Sequence, residues 1–133
     1  MFKELMLMEA SFQLLNKIDL SSKINKLLDK IEKKHNIKIL FAVENGSRAW
    51  GIESKDSDYD VRFVYVRPKE SYLKISAPKD VIEARFDRKG HACTENPYFD
   101  FVGFDILKFA RLLTVSNPSA IEWMTSPIIY KGK

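Results

Sequence analysis

Two aspartates with one residue between them, Asp58 and Asp60, open the apolar stretch YDVRFVYV at residues 59–66. Side chains alternate faces along a strand, so positions i and i+2 point the same way. Carboxylates held side by side repel each other unless a cation lies between them. Hard divalent ions such as Mg²⁺ take carboxylate oxygens and keep places open for water and phosphate. The plainer reading is a strand end entering solvent, with Asp56, Ser57 and Asp58 forming a turn.

Two further features carry the same chemistry. Gly46 and Ser47 directly follow the apolar run IKILFAVE at residues 37–44. A glycine there permits positive φ and close backbone approach, so main-chain N–H groups can face an anion. A helix beginning in RAWG would add its N-terminal amides, and the serine hydroxyl is another donor to a phosphate oxygen. A plain turn between strands is the commoner reading of those residues alone. Asp100 stands between Phe99 and Phe101 in YFDFVGF, residues 98–104. It points either to water or to the face that carries Asp58 and Asp60. In the second case three carboxylates could hold two metal ions about 4 Å apart, a pair that activates an attacking hydroxyl and stabilises a leaving group.

These residues need strands and helices to position them. Ile24, Leu27, Leu28 and Ile31 recur at helical spacing, so residues 21–35 are expected as an amphipathic helix capped by Ser21 or Ser22, with a less regular helix at 3–16 before it. The lysines and glutamates between those positions read as a solvated face. Strands are expected at 37–44, 59–66 (ended by Pro68), 81–86 and 98–104. Residues 69–78 read as a connection with a short apolar segment at Tyr72 and Leu73, and 87–97 as a loop. Asp105 sits where an N-cap belongs, with Ile106, Phe109, Ala110 and Leu113 as the apolar face of the helix that follows. Asn117 and Pro118 precede a short helix through Ile121 and Trp123. This order predicts an α/β (α+β) domain, a small mixed sheet with helices packed mainly on one face.

The chain has 133 residues, enough for one domain with its own core, and residues 1–133 read as a single unit. At 45% hydrophobic and 30% charged the composition is globular, and no run reaches the roughly 18 apolar residues of a membrane span. The N-terminus lacks the basic start and clean apolar run of a signal peptide. The single cysteine, Cys93, excludes an internal disulfide and fits a reducing compartment, so the cytoplasm is the expected location. A net charge of +4 is compatible with a polyanionic partner and specifies none.

The stretch GSRAWGIESKDSDYDVRF resembles the signature of the DNA polymerase β-type nucleotidyltransferase superfamily, in which Gly–Ser is followed at a distance by Asp–x–Asp on a strand. The triplet around Asp100 is similar to that superfamily's third carboxylate motif. More narrowly, AVENGSRAWGIESKDSDYDVRFVYVRP, DVIE at 80–83 and GFDILKFARLLTVSNPSAIEWMTSPIIY resemble the RNA-repair-pathway DNA polymerase β family over about residues 40–130. The resemblance implies two Mg²⁺ ions, with Mn²⁺ as the alternative. It also implies a nucleoside triphosphate donor such as ATP and an acceptor hydroxyl on an RNA end. Under it, Asp58, Asp60 and Asp100 are the catalytic residues and metal ligands, and Gly46, Ser47, Arg48 and Lys108 bind the nucleotide, with Arg111 as a further basic position. Arg48, Lys108 and Arg111 also read as ordinary surface charge. Two other readings remain: an antitoxin-like AMP-transferase acting on protein, and a non-catalytic nucleotide- or RNA-binding module. Family members look longer, with a helical part after the equivalent of PIIY, where KGK ends this sequence. His91, Cys93 and Glu95 alternate in an unpatterned loop, which is poor support for a metal site. Trp50 and Trp123 read as core anchors, and His35 as a solvent-exposed helix end.

Overall fold

Apolar residues at helical spacing give the first helix one face with which to dock. In the computed structural model, which describes residues 1–51 and 58–132, that helix is α1 (Phe2–His35). The two helices expected at 3–16 and 21–35 are one. Ser21 and Ser22 cap nothing because the chain before them is already helical; the Ser21 carbonyl accepts from Asn25 Nδ2 at 2.9 Å inside the helix. Only the second half docks, through Ile24, Leu27, Leu28 and Ile31, whereas residues 1–19 are exposed. Asn36 ends α1 in the left-handed conformation, φ 51°, and its N–H returns to the Glu32 carbonyl. His35 is half-buried rather than exposed, and burial, Lys34 and Arg67 lower its pKa.

Five strands follow from the apolar runs: β1 (Lys38–Asn45), β2 (Tyr59–Val66), β3 (Val81–Phe86), β4 (Phe99–Asp105) and β5 (Ile129–Gly132). They form one sheet in the order β3-β4-β2-β1-β5, with β2 and β4 parallel and every other neighbouring pair antiparallel. The fifth strand and the short helix α2 (Lys69–Tyr72) were not legible as elements. The expected α/β class with a mixed sheet holds.

The helices, expected mainly on one face, divide between both. Helix α1 packs with Val61, Phe63, Tyr65, Phe99 and Phe101. Helices α3 (Ile106–Thr114) and α4 (Pro118–Thr125) pack on the opposite side, where Phe109, Ala120 and Trp123 meet Val43 and Val64. The reason lies in alternation: β2 is apolar on both faces, and each face needs a cover. Asp105 caps α3 by accepting from Leu107 N at 2.9 Å, and Asn117 caps α4 by accepting from Ser119 and Ala120 N. Of the apolar face expected for α3, Phe109 is buried while Ala110 and Leu113 are exposed. Trp123 is buried against Phe104, ring centroids 4.4 Å apart, as a core anchor. Trp50, expected in the same role, is 52% exposed. Among the described residues no helix is long and apolar enough to cross a membrane.

Candidate active site

Parallel pairing of β2 with β4 sets Asp60 directly beside Asp100. Alternation places both on the face that carries Val64, Val102 and Phe104 further along the same strands, the side covered by α3 and α4. The two acids stand near the starts of their strands. Asp58 lies just before β2 and is exposed. Burial raises the pKa of Asp60 from its ordinary value; the nearby charges of Asp100 and Asp58 push the same way, and Arg62 and Arg48 oppose them.

Asp100 is held from two strands. Arg62 Nη2 lies 3.6 Å from its Oδ2 and Arg85 Nε 3.5 Å from its Oδ1. Arg62 Nη1 also donates to the Asp100 carbonyl at 3.0 Å. The Oδ1 atom is buried and accepts no hydrogen bond.

Antiparallel pairing of β1 with β2 brings Asn45 opposite Asp60, so the chain leaves β1 immediately beside that carboxylate. Gly46 makes the exit at φ 73°, and a Cβ built there would collide with Asp60 Oδ2. Only glycine allows this approach. Ser47 and the residues after it form hydrogen-bonded turns, Trp50 N to Ser47 O at 3.3 Å and Gly51 N to Arg48 O at 3.5 Å, and not the helix start considered for RAWG. Arg48 lies with its Cζ 3.9 Å from the Tyr59 ring centroid and donates through Nε to the Asp58 carbonyl at 3.3 Å. The turn around Asp56 and Ser57 lies outside the described residues.

Behind Asp60 is a buried acid that the motif reading missed. Glu44, 0% exposed, accepts from Asp60 N through Oε2 at 2.9 Å and from the Tyr130 hydroxyl through Oε1 at 2.7 Å. Burial pushes its pKa to about 7, against the opposing effect of those two hydrogen bonds. A lone acid inside an apolar strand was the available signal for Glu44, and the i+2 spacing from Asp60 was the signal for Arg62. Tyr130 and Arg85 are distant in sequence and gave none.

Lys108 is not brought to this site. It lies on the first turn of α3, 3.7 Å from Asp80 Oδ2, beyond the far end of β4. Five residues of strand separate that end from Asp100, roughly 17 Å at 3.3–3.4 Å per residue. Arg111 is exposed and donates back to the Leu107 carbonyl on its own helix. The loop with His91, Cys93 and Glu95 is organised by Asp87, whose Oδ1 accepts from Lys89 N and His91 N. Among the described residues no three acidic, histidine or cysteine side chains converge closely enough to hold a metal ion as they stand. The register joins Asp60 and Asp100; Asp58 adds a charge that Asp60 feels, and Asp100 is turned toward its two arginines.

Fold and site define the class: an α/β domain that presents adjacent carboxylates on one sheet face beside a left-handed glycine turn. The chain belongs to the RNA repair pathway DNA polymerase beta family, whose model matches residues 20–133. It is also 45% identical over 103 residues to "Uncharacterized protein YcgL" of Bacillus subtilis (strain 168), a match covering 77% of this chain and 36% of that protein. The chain therefore spans little more than a third of this relative. No solved structure matches it.

Proposed function

We propose that this domain transfers a nucleoside monophosphate from a nucleoside triphosphate to a hydroxyl group, with an RNA end as the acceptor. The observation that carries the reading is the register of Asp60 beside Asp100, with Gly46 against the Asp60 carboxylate. Family membership supports the reaction class and the RNA context. The oxygen-only donor set of Asp58, Asp60 and Asp100, and the buried Asp100 Oδ1 that accepts no hydrogen bond, fit a hard divalent cation. Bound Mg²⁺ would supply charge neutralisation at the phosphates and a lowered pKa at the acceptor hydroxyl.

The chain's own residues do the rest. The Gly46–Ser47 turn lets the triphosphate approach the main chain closely and offers it the serine hydroxyl. Arg48, steadied on Tyr59, offers a guanidinium to a phosphate oxygen. Glu44 fixes the backbone from which Asp60 projects. Asp100, once its Oδ1 exchanges the Arg85 contact for the acceptor hydroxyl, takes that hydroxyl's proton. The hydroxyl oxygen attacks the α-phosphorus, a new phosphodiester bond forms, and pyrophosphate leaves. Catalysis of this kind is mostly positioning and electrostatic stabilisation.

The test is incubation of the protein with α-labelled NTP, Mg²⁺ and an RNA oligonucleotide, alongside a protein acceptor. Label should enter RNA, and Asp60→Asn should abolish it while leaving the circular-dichroism spectrum and melting curve intact. Full turnover in Asp60→Asn would refute the carboxylate mechanism; label entering protein alone would favour AMP transfer to protein.

A further inference from the structure

We infer that the furrow between α1 and the edge strand β3 binds the phosphate backbone of the RNA acceptor, a refinement that rests on the transfer reaction above for the identity of the polymer. The furrow is built from charge that the fold has sorted. On α1, Lys23, Lys26, Lys30 and Lys34 recur at i, i+3, i+7 and i+11, which is one stripe along the helix. The acids of the same helix segment, Asp29 and Glu32, turn to the other flank, where Lys131 Nζ holds them at 3.8 and 2.7 Å. The lysine stripe keeps a net positive charge, with one acid, Asp19, beside it in the cavity it lines.

The opposite wall is the turn after β3. Asp87 Oδ1 accepts from the main-chain N–H of Lys89 and of His91, both at 2.9 Å, and Asp87 N donates to the His91 carbonyl at 2.8 Å. Lys23 Nζ ties this turn to the helix by donating to the Arg88 carbonyl. Lys89 thus faces Lys26 and Lys30 across a cavity of about 470 Å³, whose lining includes one acid, Asp19. A second cavity of about 240 Å³ shares Lys30 and is lined further by Lys34, Arg85 and one acid, Glu83, at the outer edge of β3. Joined at Lys30, the two linings give the furrow more cations than acids.

Its floor says what part of a nucleic acid it takes. Lys23 Nζ lies 5.8 Å from the Phe99 ring centroid, Lys30 Nζ 5.8 Å from that of Phe86, and Arg88 Cζ 5.1 Å from that of Tyr98. These rings position the cations and leave little aromatic surface open, since Phe86 and Phe99 are buried. With charge offered and no free stacking face, the furrow suits ribose-phosphate and ignores base identity.

Sheet order then assigns the direction of approach. In β3-β4-β2-β1-β5, the Gly46–Ser47 turn lies on the β1 side of Asp60 and Asp100 lies on the β3 side. A triphosphate at the turn leaves the β3 edge to the acceptor, and the furrow runs along that edge on the α1 face of the sheet. Its Lys23 end covers Phe99, whose side chain lies on the face opposite to Asp100. RNA held in the furrow therefore reaches Asp100 around the β3 edge, where Arg85 both lines the furrow and contacts the Asp100 carboxylate.

The experiment measures binding of a labelled single-stranded oligoribonucleotide by anisotropy across a salt series. It compares the protein with a Lys26→Gln/Lys30→Gln/Lys89→Gln variant and with a Lys69→Gln/Lys74→Gln control. At about 0.1 M salt the triple variant should lose roughly tenfold or more in affinity, and the salt slope should fall by about 2, at about 0.7 per single-strand phosphate contact. Affinity for NTP should not change. A DNA strand of the same sequence should respond to the same substitutions, because phosphate is what is read. The inference is overturned if the control loses as much as the triple variant, if RNA affinity is unaltered, or if charge-matched polyglutamate displaces the RNA as well as unlabelled RNA does. Furrow-dependent RNA binding without any nucleotide transfer would refute the enzymatic reading alone. Transfer with an unchanged KM for RNA in the triple variant would refute the furrow alone.

Discussion

Replacing Glu44 by glutamine isolates the energetics of the buried acid beneath Asp60. The wild-type carboxyl is fully buried and titrates near 7 instead of 4.5. That difference corresponds to roughly 3 kcal/mol between the two protonation states. Its folded pKa exceeds its unfolded one, so the stabilising contribution is complete below about pH 4.5 and disappears as pH rises through about 7. Above that pH the folded protein carries a buried charge that unfolding relieves. Glutamine has the same shape and never ionises. Its carbonyl can accept from Asp60 N, and its amide can donate to the Tyr130 hydroxyl oxygen, so both contacts survive in altered form. The folded-state pKa already includes the pull of both hydrogen bonds on the charged form. Glu44→Gln should therefore match the wild type near pH 4 and exceed it by roughly 3 kcal/mol near pH 8.5, or roughly 9 °C in melting midpoint for a chain of this size. Urea and thermal unfolding followed by far-UV circular dichroism at the two pH values measure it. Parallel stability–pH curves for the two proteins would refute the reasoning, because every other titrating group cancels in the difference.

Gly46→Ala places a Cβ at φ 73° and against Asp60 Oδ2, so it should cost about 1–2 kcal/mol of stability and also rotate the carboxylate. Transfer should fall far more than the loss of folded protein accounts for, and a variant that transfers at the wild-type rate would contradict the close approach. Trp123→Ala removes a ring stacked on Phe104 at 4.4 Å and on Phe109 at 6.0 Å in the α3–α4 core, for an expected loss of about 3–5 kcal/mol. A urea midpoint shifted by less than about 1 kcal/mol would show that this core is not packed as described.

What was legible in the sequence was local. Asp105 announces α3 because an N-cap acts on the next two residues, and alternation puts Asp60, Arg62 and Val64 on one side of β2, whereas Asp58 lies before the strand begins. What was not legible depends on partners chosen at a distance. Nothing in the spacing from Asp60 to Asp100 says that β2 and β4 pair in parallel; that pairing decides the register of the site. Lys108 shows the cost of reading motif position without topology, since β4 runs away from Asp100 before α3 begins. Ser21 and Ser22 are good caps that the preceding helical residues overrode. The four residues of β5 are too short for a periodicity to show, yet Tyr130 on that strand supplies a partner to Glu44.

The charges at the proposed site explain why its carboxylates need company. Three acids, Asp58, Asp60 and Asp100, stand among three guanidiniums, Arg48, Arg62 and Arg85, and three negative against three positive leaves a balance near zero. An acidic trio without arginines would hold cations and repel a triphosphate; arginines without the acids would do the reverse. The mixed set favours neither ligand strongly alone. On the proposed reading, a triphosphate and divalent ions arriving together would bring both signs, and each would improve the site for the other, which is reciprocal coupling between ligands. Arg62 reaches Asp100 from β2 and Arg85 reaches it from β3, so Asp100 is held across two strand boundaries. That grip keeps it in register with Asp60, and preorganised charge of this kind would serve the proposed nucleotidyl transfer.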